Sequence, residues 1–493
     1  MGAPDICVTV TGRTMADIRR ARDEAVHADL VELRLDGIHR PDVATALAGR
    51  RRPAIVTCRP AWEGGRYHGD EEGRRRLLAA ALDQGAEFVD VEAASPFARD
   101  LLAVRNGRGI VLSAHYFGRA PDDLPARYAA MQDAAPEVVK LAAEVGSLTE
   151  LLPIFEIADA GRGRKTPSHV LIAMGTAGIP SRVLSARLGN RWTYAGDGVA
   201  PGQLPAERLV REFRFREVQP GAALYGVVGN PVVQSLSPAM HNAGFASLGL
   251  DAVYVPLQAS DADDFVRFAR RTRLRGASIT APFKVALMSR MDEIEPLARR
   301  VGAVNTLVVH DDRWLGFNTD VHGFLAPLAG RIHLRGVRAT VLGAGGAARA
   351  VTLALVDQGA AVTISARREE TAAALAAEAG ASVGRFPPPA GSWDVLVNAT
   401  SAGSAAAPVN PIEGTPLEGE IVFDLVYAPA RTPLLEAAEE EGCLTIGGLE
   451  MLIAQAERQF ELWTGQPPPH YLFKSAAVQA VAPLQDHPAA GAL

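Results

Sequence analysis

The stretch ATVLGAGGAARAVTLALVDQGAAVTISARR, residues 339–368, reads as a strand, a glycine turn, a helix and a second strand. Ala339–Leu342 is a short apolar run, and GAGGAA (Gly343–Ala348) follows it without a linker. Ala350–Gln358 has the apolar spacing of a helix closed by Gly359, and Ala361–Ser365 completes a βαβ unit. In such a turn Gly343 and Gly345 let the backbone come close to a pyrophosphate, and Ala348 lets the helix pack on the sheet. Ala344, Gly346 and Ala347 complete the expected phosphate-binding loop. An acidic residue after the second strand would meet a ribose hydroxyl; here the chain carries Arg367 and Arg368, which suit a 2′-phosphate. NADP(H) is therefore the expected cofactor. The competing reading is a pair of surface arginines ahead of a helix.

Working outward, Asp394–Asn398 and Ile421–Leu425 continue the sheet, so a Rossmann subdomain is expected over residues 331–448. Before it, residues 222–330 open with strands at Leu224–Val228, Ala252–Pro256 and Gly276–Thr280. The helical stretch Leu449–Trp463, in segment 449–482, is expected to return to that earlier subdomain. Residues 483–493 are Ala/Pro/Gly-rich and read as a disordered tail. On the other side of Gln219-Pro220-Gly221, residues 1–218 contain eight short β-rich runs: Ile6–Val10, Leu30–Leu35, Ala54–Arg59, Phe88–Glu92, Ile110–His115, Val138–Ala142, Val170–Met174 and Trp192–Ala195. Helical stretches such as Thr14–Ala28 and Arg74–Gln84 separate them, the latter ended by Gly85. Eight parallel strands with polar residues at their C-terminal ends predict a (β/α)8 TIM barrel rather than an open sheet. The fold class is thus α/β, a barrel followed by a two-subdomain unit with a Rossmann domain.

At 493 residues the chain is long enough for several domains, and its net charge of −6 gives no electrostatic reason to expect nucleic acid or an anionic membrane. Arg50-Arg51-Arg52 and Arg74-Arg75-Arg76 are read as solvated surface, since no aromatics interleave them. Cys7, Cys58 and Cys443 are few and far apart, which supports neither a disulfide framework nor a zinc site; no metal is expected, and a reducing cytoplasm is. No apolar run approaches the roughly 18 residues that span a bilayer. Small molecules are the expected partners, with a homo-oligomer left open.

In a barrel, Arg59, Glu63, His115 and Lys140 would converge on the face made by the strand C-termini. A lysine there can form an imine with a ketone if its surroundings favour the neutral amine, through desolvation and cations such as Arg182. A neighbouring histidine can remove the proton that the imine acidifies and return it to a leaving hydroxyl. For Lys140 alone a solvated strand end is the plainer reading.

The surrounding words change that. VELRLDG (Val31–Gly37), TCRPAWEGG (Thr57–Gly65), SAHYF (Ser113–Phe117), VVKLA (Val138–Ala142), MGTAGIPSR (Met174–Arg182) and APGQ (Ala200–Gln203) occur in order. This series resembles the type I 3-dehydroquinate dehydratases over nearly all of residues 6–210. The resemblance implies Lys140 as Schiff-base nucleophile, His115 as general acid–base and Glu63 as the group orienting His115. It implies Glu32, Arg34, Arg59, Arg182 and Gln203 as the shell around the substrate's hydroxyls and carboxylate. Tyr116 stands where many relatives carry Asp, and Val199 where relatives often carry a substrate-contacting Ser, a loss of about 1 kcal/mol of hydrogen bonding. His27 and His68 fall in no matching motif.

The second half has its own ordered words. They are NPVVQSLSP (Asn230–Pro238), SITAPFK (Ser278–Lys284), GAVNTL (Gly302–Leu307), GFNTD (Gly316–Asp320), NATSAG (Asn398–Gly403), DLVYAPARTPLL (Asp424–Leu435) and GGLEMLIAQA (Gly447–Ala456). They look like shikimate dehydrogenase across residues 224–481. The resemblance implies Lys284 and Asp320 as a catalytic dyad. It implies Ser235, Ser237, Thr280, Asn305 and Gln455 around the cyclitol, and Tyr427 near the reacting ring. Thr400 and Gly448 join the cofactor set. Ala366-Arg367-Arg368 replaces the Asn-Arg-Thr run of many relatives. A lysine ammonium can protonate the alkoxide that hydride delivery creates, and an aspartate can hold that lysine. Together the halves imply consecutive shikimate-pathway steps, 3-dehydroquinate to 3-dehydroshikimate to shikimate. Two rivals are a quinate- and NAD-preferring second half, and a ligand sensor built from decayed copies. Ser237 and the arginine pair argue against the first, the four retained catalytic side chains against the second.

Overall fold

Eight of the apolar runs pair side by side in the computed structural model, which describes residues 3–162, 167–196, 198 and 200–485. They are β1 (Asp5–Val10), β2 (Leu30–Arg34), β3 (Ala54–Thr57), β4 (Phe88–Glu92), β5 (Ile110–Tyr116), β6 (Val138–Glu144), β7 (Ser168–Met174) and β8 (Trp192–Ala195). All the pairings are parallel, and the order runs β7-β6-β5-β4-β3-β2-β1-β8. The two ends meet through Asn190, whose side-chain amide accepts from Leu171 N at 2.8 Å and donates to its O at 3.0 Å. Arg191 N also donates to His169 O at 2.8 Å. Every strand contributes to one apolar cluster, which includes Cys7, Leu30, Ile55, Phe88, Val111, Val138, Val170 and Trp192. That cluster is packed side chain, so the strand C-termini form the open mouth.

Intervening helices carry start and stop signals. Thr14 and Asp17 form a reciprocal capping box on Met15–Glu24, and Gly85 (φ +86°) follows the helix Glu71–Asp83. Arg74 corrects the surface reading of the 74–76 run: it is fully buried, donating to Glu71, Glu92 and Ser95. Its helix turns Arg74, Leu78 and Ala81 inward together, a spacing that places the first arginine of the run on the buried face.

The chain divides into two compact units, Met1–Leu274 and Arg275–Leu493. The first holds the barrel together with the parallel strands β9 (Ala223–Gly229) and β10 (Ala252–Gln258) and the helix Ala262–Thr272. Buried Asp264 on that helix accepts from Leu148 N (3.1 Å), Thr149 N (2.7 Å) and Thr149 Oγ1 (2.6 Å) after β6. Phe155 meets Phe268 edge-on at 6.1 Å between ring centroids.

The second unit begins with β11 (Gly276–Ile279), β12 (Glu293–Ile294), β13 (Thr306–His310) and β14 (Arg313–Phe317). β13 runs antiparallel to β11 and β14, a hairpin that the sequence reading left out. Next come β15 (Arg338–Leu342), β16 (Ala361–Ser365), β17 (Ser382–Gly384), β18 (Val395–Asn398), β19 (Ile421–Asp424) and β20 (Leu444–Gly447). These form a parallel sheet in the order β17-β16-β15-β18-β19-β20, a doubly wound arrangement whose direction reverses between β15 and β18. The helix Gly448–Thr464 then runs back to β11 and β13, where Gln459 accepts from Ser278 (2.6 Å) and donates to Asn305 O (3.1 Å). A final helix, Leu472–Gln485, extends three residues into the expected tail; residues 486–493 lie outside the described residues, as does Val199.

Candidate active sites

Side chains from seven segments converge at the barrel mouth. Glu32 and Arg34 occupy alternate positions of β2 and so share one face. Arg59 lies two residues past β3, and Glu63 ends the turn Ala61–Glu63. His115 comes from β5 and Lys140 from β6, while Arg182 sits on the short helix Ile179–Val183 and Gln203 on the loop after β8. All eight line one cavity, with Thr9 and Tyr194 between them. β6 continues past Lys140 to Glu144, so the amine lies inside the barrel rather than at a strand end.

The charges around that amine differ from expectation. Lys140 Nζ lies 2.9 Å from Asp90 Oδ2, 3.3 Å from Glu32 Oε1 and 4.1 Å from the centre of the Tyr194 ring. Its immediate neighbours are carboxylates and a ring face, not arginines. Arg182 is itself buried, donating to Tyr194 O (3.3 Å) and Pro201 O (3.2 Å); desolvation pushes its pKa down to about 10. Burial alone would raise the Asp90 carboxyl, but Arg59 and Lys140 outweigh it and hold the group below the usual carboxylate range.

His115 is pushed well below its ordinary value, first by burial and then by Arg59 and Lys140, so its imidazole is neutral at physiological pH. Its Nδ1 is buried without a hydrogen-bond partner. Glu63 stands 3.6 Å from that nitrogen, beyond hydrogen-bond length, and accepts instead from the His115 backbone N–H at 3.2 Å. Burial raises the Glu63 carboxyl to about 7, against the pull of Arg59. A neutral base facing a carboxyl that ionises near neutrality can accept and return a proton. Arg34 is clamped by Asp36 through two bonds of 2.8 and 2.9 Å, and Gln203 accepts from Ala200 N at 3.1 Å.

The sequence reading missed Asp90 and Glu92. Both sit on β4, two residues apart and fully buried, gripping Arg59 at 2.9 and 2.7 Å. Glu92 also binds Arg74, so a buried relay runs Arg74–Glu92–Arg59. Two acids at alternate positions of an otherwise apolar strand are a readable signal, because buried carboxylates require cationic partners.

In the second unit Lys284 Nζ and Asp320 Oδ2 are 2.5 Å apart. Asp320 begins the helix Asp320–Leu328 and also accepts from Asn305 Nδ2 at 2.8 Å. Asn305 lies 3.4 Å from Gln455 Oε1, and Thr319 and Thr306 complete the buried polar cluster. Thr280 follows β11 and is half-buried, and Tyr427 follows β19 with its phenol raised by burial. Ser235 and Ser237 belong to the other unit, where Ser237 N donates to Ser235 Oγ at 3.2 Å.

The glycine loop has the room a pyrophosphate needs. Gly343 has φ +103°, and a side chain on Gly345 or Gly346 would meet nothing within 4 Å. Gly345 caps the twelve-residue helix Gly346–Asp357 without a side-chain bond, leaving its first N–H groups open to an anion. A Cβ on Gly343 would come within 3.0 Å of Thr400, which places that threonine beside the turn together with Ala344 and Ala347. Arg367 and Arg368 are exposed after β16. These features fit a dinucleotide with a 2′-phosphate. Gly448 has a packing reason as well, since a Cβ there would fall 2.2 Å from Leu425 O.

Comparison with known proteins follows the same division. The type I 3-dehydroquinase family matches residues 6–220, the shikimate dehydrogenase substrate-binding domain residues 227–307, and the shikimate 5′-dehydrogenase C-terminal domain residues 448–470. The bifunctional 3-dehydroquinate dehydratase/shikimate dehydrogenase, chloroplastic, of Arabidopsis thaliana is 33% identical over 497 residues, covering 92% of this chain and 81% of its own. Shikimate dehydrogenase (NADP+) of Bacillus cereus is 38% identical over 50% of this chain and 94% of its own. A shikimate dehydrogenase solved with NADP+ superposes on 54% of this chain and 98% of its own, at 32% identity and a TM-score of 0.51. With the plant relative aligned along almost the whole length, across both lysine sites, the chain belongs to the bifunctional 3-dehydroquinate dehydratase/shikimate dehydrogenase family.

Proposed function

We propose that the barrel dehydrates 3-dehydroquinate to 3-dehydroshikimate through an imine on Lys140, and that the second unit carries the machinery for reducing 3-dehydroshikimate to shikimate with NADPH. The observation that supports this most is the pairing, in one cavity, of a buried amine with a neutral histidine. Lys140 bonds covalently to the ketone carbon, and the resulting cation acidifies the adjacent C–H. Neutral His115 takes that proton and returns it to the departing hydroxyl, with ionised Glu63 stabilising the imidazolium between the two transfers. Arg59, Arg182 and Arg34 hold the carboxylate and hydroxyls, and the barrel's packed layer excludes water from below.

In the second unit Lys284 donates a proton to the ketone oxygen as alkoxide charge develops, and Asp320 keeps the ammonium aimed. When bound, the nicotinamide group supplies the hydride. The glycine turn and helix N-terminus hold the pyrophosphate, Arg367 and Arg368 the 2′-phosphate, and Asn305, Gln455, Thr280 and Tyr427 the cyclitol. Three buried thiols, none paired with another, suit a reducing cytoplasm. No helix of the described residues is long and apolar enough to cross a membrane.

The test is NADPH oxidation by the full chain given 3-dehydroquinate alone. Oxidation that requires 3-dehydroquinate supports both steps. No oxidation with 3-dehydroquinate, but oxidation with 3-dehydroshikimate, would remove the barrel assignment; silence with both would remove the reading altogether.

A further inference from the structure

The nearest carboxylate to the amine of Lys140 has no part in the reaction sketched above. Asp90 Oδ2 lies 2.9 Å from Nζ, while its Oδ1 accepts from Arg59 at 2.9 Å and from Ser113 Oγ at 2.6 Å. The side chain is fully buried on β4, and these three bonds fix both oxygens. Glu32 also reaches Nζ, at 3.3 Å, but it divides its oxygens between Thr57 (2.9 Å) and Thr9 (3.1 Å) and lines the cavity that substrate enters. Asp90 is fully buried and does not line that cavity, and its three bonds hold it in place.

We propose that Asp90 is a further catalytic residue of the imine reaction, the fixed counter-ion of Lys140 Nζ while substrate exchanges in the cavity. The assignment rests on the imine reading of the barrel. Its chemistry balances without another reactant. One ammonium proton passes to neutral His115, and the freed nitrogen pair bonds to the carbonyl carbon while the C=O π pair moves to oxygen. That oxygen takes one proton from the attacking nitrogen and one from His115, then leaves as water as the nitrogen pair forms C=N. Nitrogen begins and ends with a single positive charge, as ammonium and as protonated imine. A carboxylate fixed against it stabilises both states and need not move between them. Asp90 fits this role rather than that of a base because Arg59 and Lys140 keep it ionised.

The groups facing Nζ are Cys7 on β1, Glu32 on β2, Arg59 after β3, Asp90 on β4, His115 on β5 and Tyr194 on β8. Asp90→Asn removes one negative charge from this set and keeps the shape. The full chain is mixed with 3-dehydroquinate and borohydride at one pH, and the rate constant and final extent of covalent adduct formation on Lys140 are followed by intact mass. Against wild type, Asp90→Asn is expected to form adduct with a rate constant roughly tenfold lower or worse. A protein that had merely lost structure would reach a smaller final extent with the rate constant in place. Should Asp90→Asn not be recovered folded by circular dichroism, Ser113→Ala, which removes one of the three bonds on Asp90, decides the matter through a smaller fall in the same rate constant. An unchanged rate constant in the folded variant would overturn the assignment. Wild type that forms no reducible adduct would overturn the imine reading, and this assignment with it.

Discussion

The side chain of Lys140 is 6% exposed and lies between two carboxylates, whereas that of Lys284 is 27% exposed and bonds Asp320. The two environments suit the two different tasks proposed for them. A lysine that becomes an imine keeps one positive charge from start to finish, so permanent burial against fixed anions suits it. A lysine that donates a proton must recover one from water, and partial exposure keeps it within reach. Their supports differ as well. Lys140 projects from the middle of a strand in a closed sheet, while Lys284 is on a four-residue helix and depends on Asp320 at the start of another.

Substitutions can break this contrast. The largest expected effect is Lys140→Ala, which removes the proposed nucleophile and should lower dehydratase turnover by about 10⁴-fold or more, while leaving reduction of 3-dehydroshikimate unchanged. Separate assays of the two steps on one preparation check it; equal loss in both would mean the sites are not independent. Lys284→Met should lower dehydrogenase kcat by about 10²–10⁴-fold with little change in KM, since a proton donor acts in the transition state. A KM effect alone would make Lys284 a binding residue. Replacing Arg367 and Arg368 together by Ala should narrow the preference for NADPH over NADH by roughly tenfold or more, measured as a ratio of kcat/KM values.

A smaller effect separates the sites by pH. Glu63 ionises at about 7, so on the acid side of that value it is mainly protonated and cannot stabilise the His115 imidazolium. Dehydratase kcat/KM should therefore rise with pH through this value, and Glu63→Gln should remove that inflection at a lower overall rate. Because His115 lies well below its ordinary value, no separate inflection is expected where histidines normally titrate. The smallest effect is structural. Asp264→Ala leaves Leu148 N and Thr149 N without their acceptor, which should destabilise the first unit by about 2 kcal/mol in chemical denaturation.

Much of the frame was legible because each strand is a local pattern. Eight apolar runs closed by polar residues specify the barrel, and a strand, a glycine turn and a helix specify the nucleotide fold. The hairpin Thr306–His310/Arg313–Phe317 was harder to see, since Asp311 and Asp312 turn it through positive φ (48° and 61°) without a glycine signal. Asp90 and Glu92 escaped for a different reason. Their meaning lies in partners on other strands, at Arg59, Ser113 and Lys140, and nothing next to them in sequence marks those contacts. Arg74 was hidden by its company, since its neighbour Arg76 is exposed on the same helix.

The central claim is that one chain carries two independent lysine sites acting in series. Mixing purified Lys140→Ala and Lys284→Ala proteins with 3-dehydroquinate and NADPH tests it most directly. Each variant alone should fail to oxidise NADPH, and the mixture should restore oxidation, because 3-dehydroshikimate made by one chain is reduced by the other. A silent mixture, or a single variant that still oxidises NADPH from 3-dehydroquinate, would contradict it.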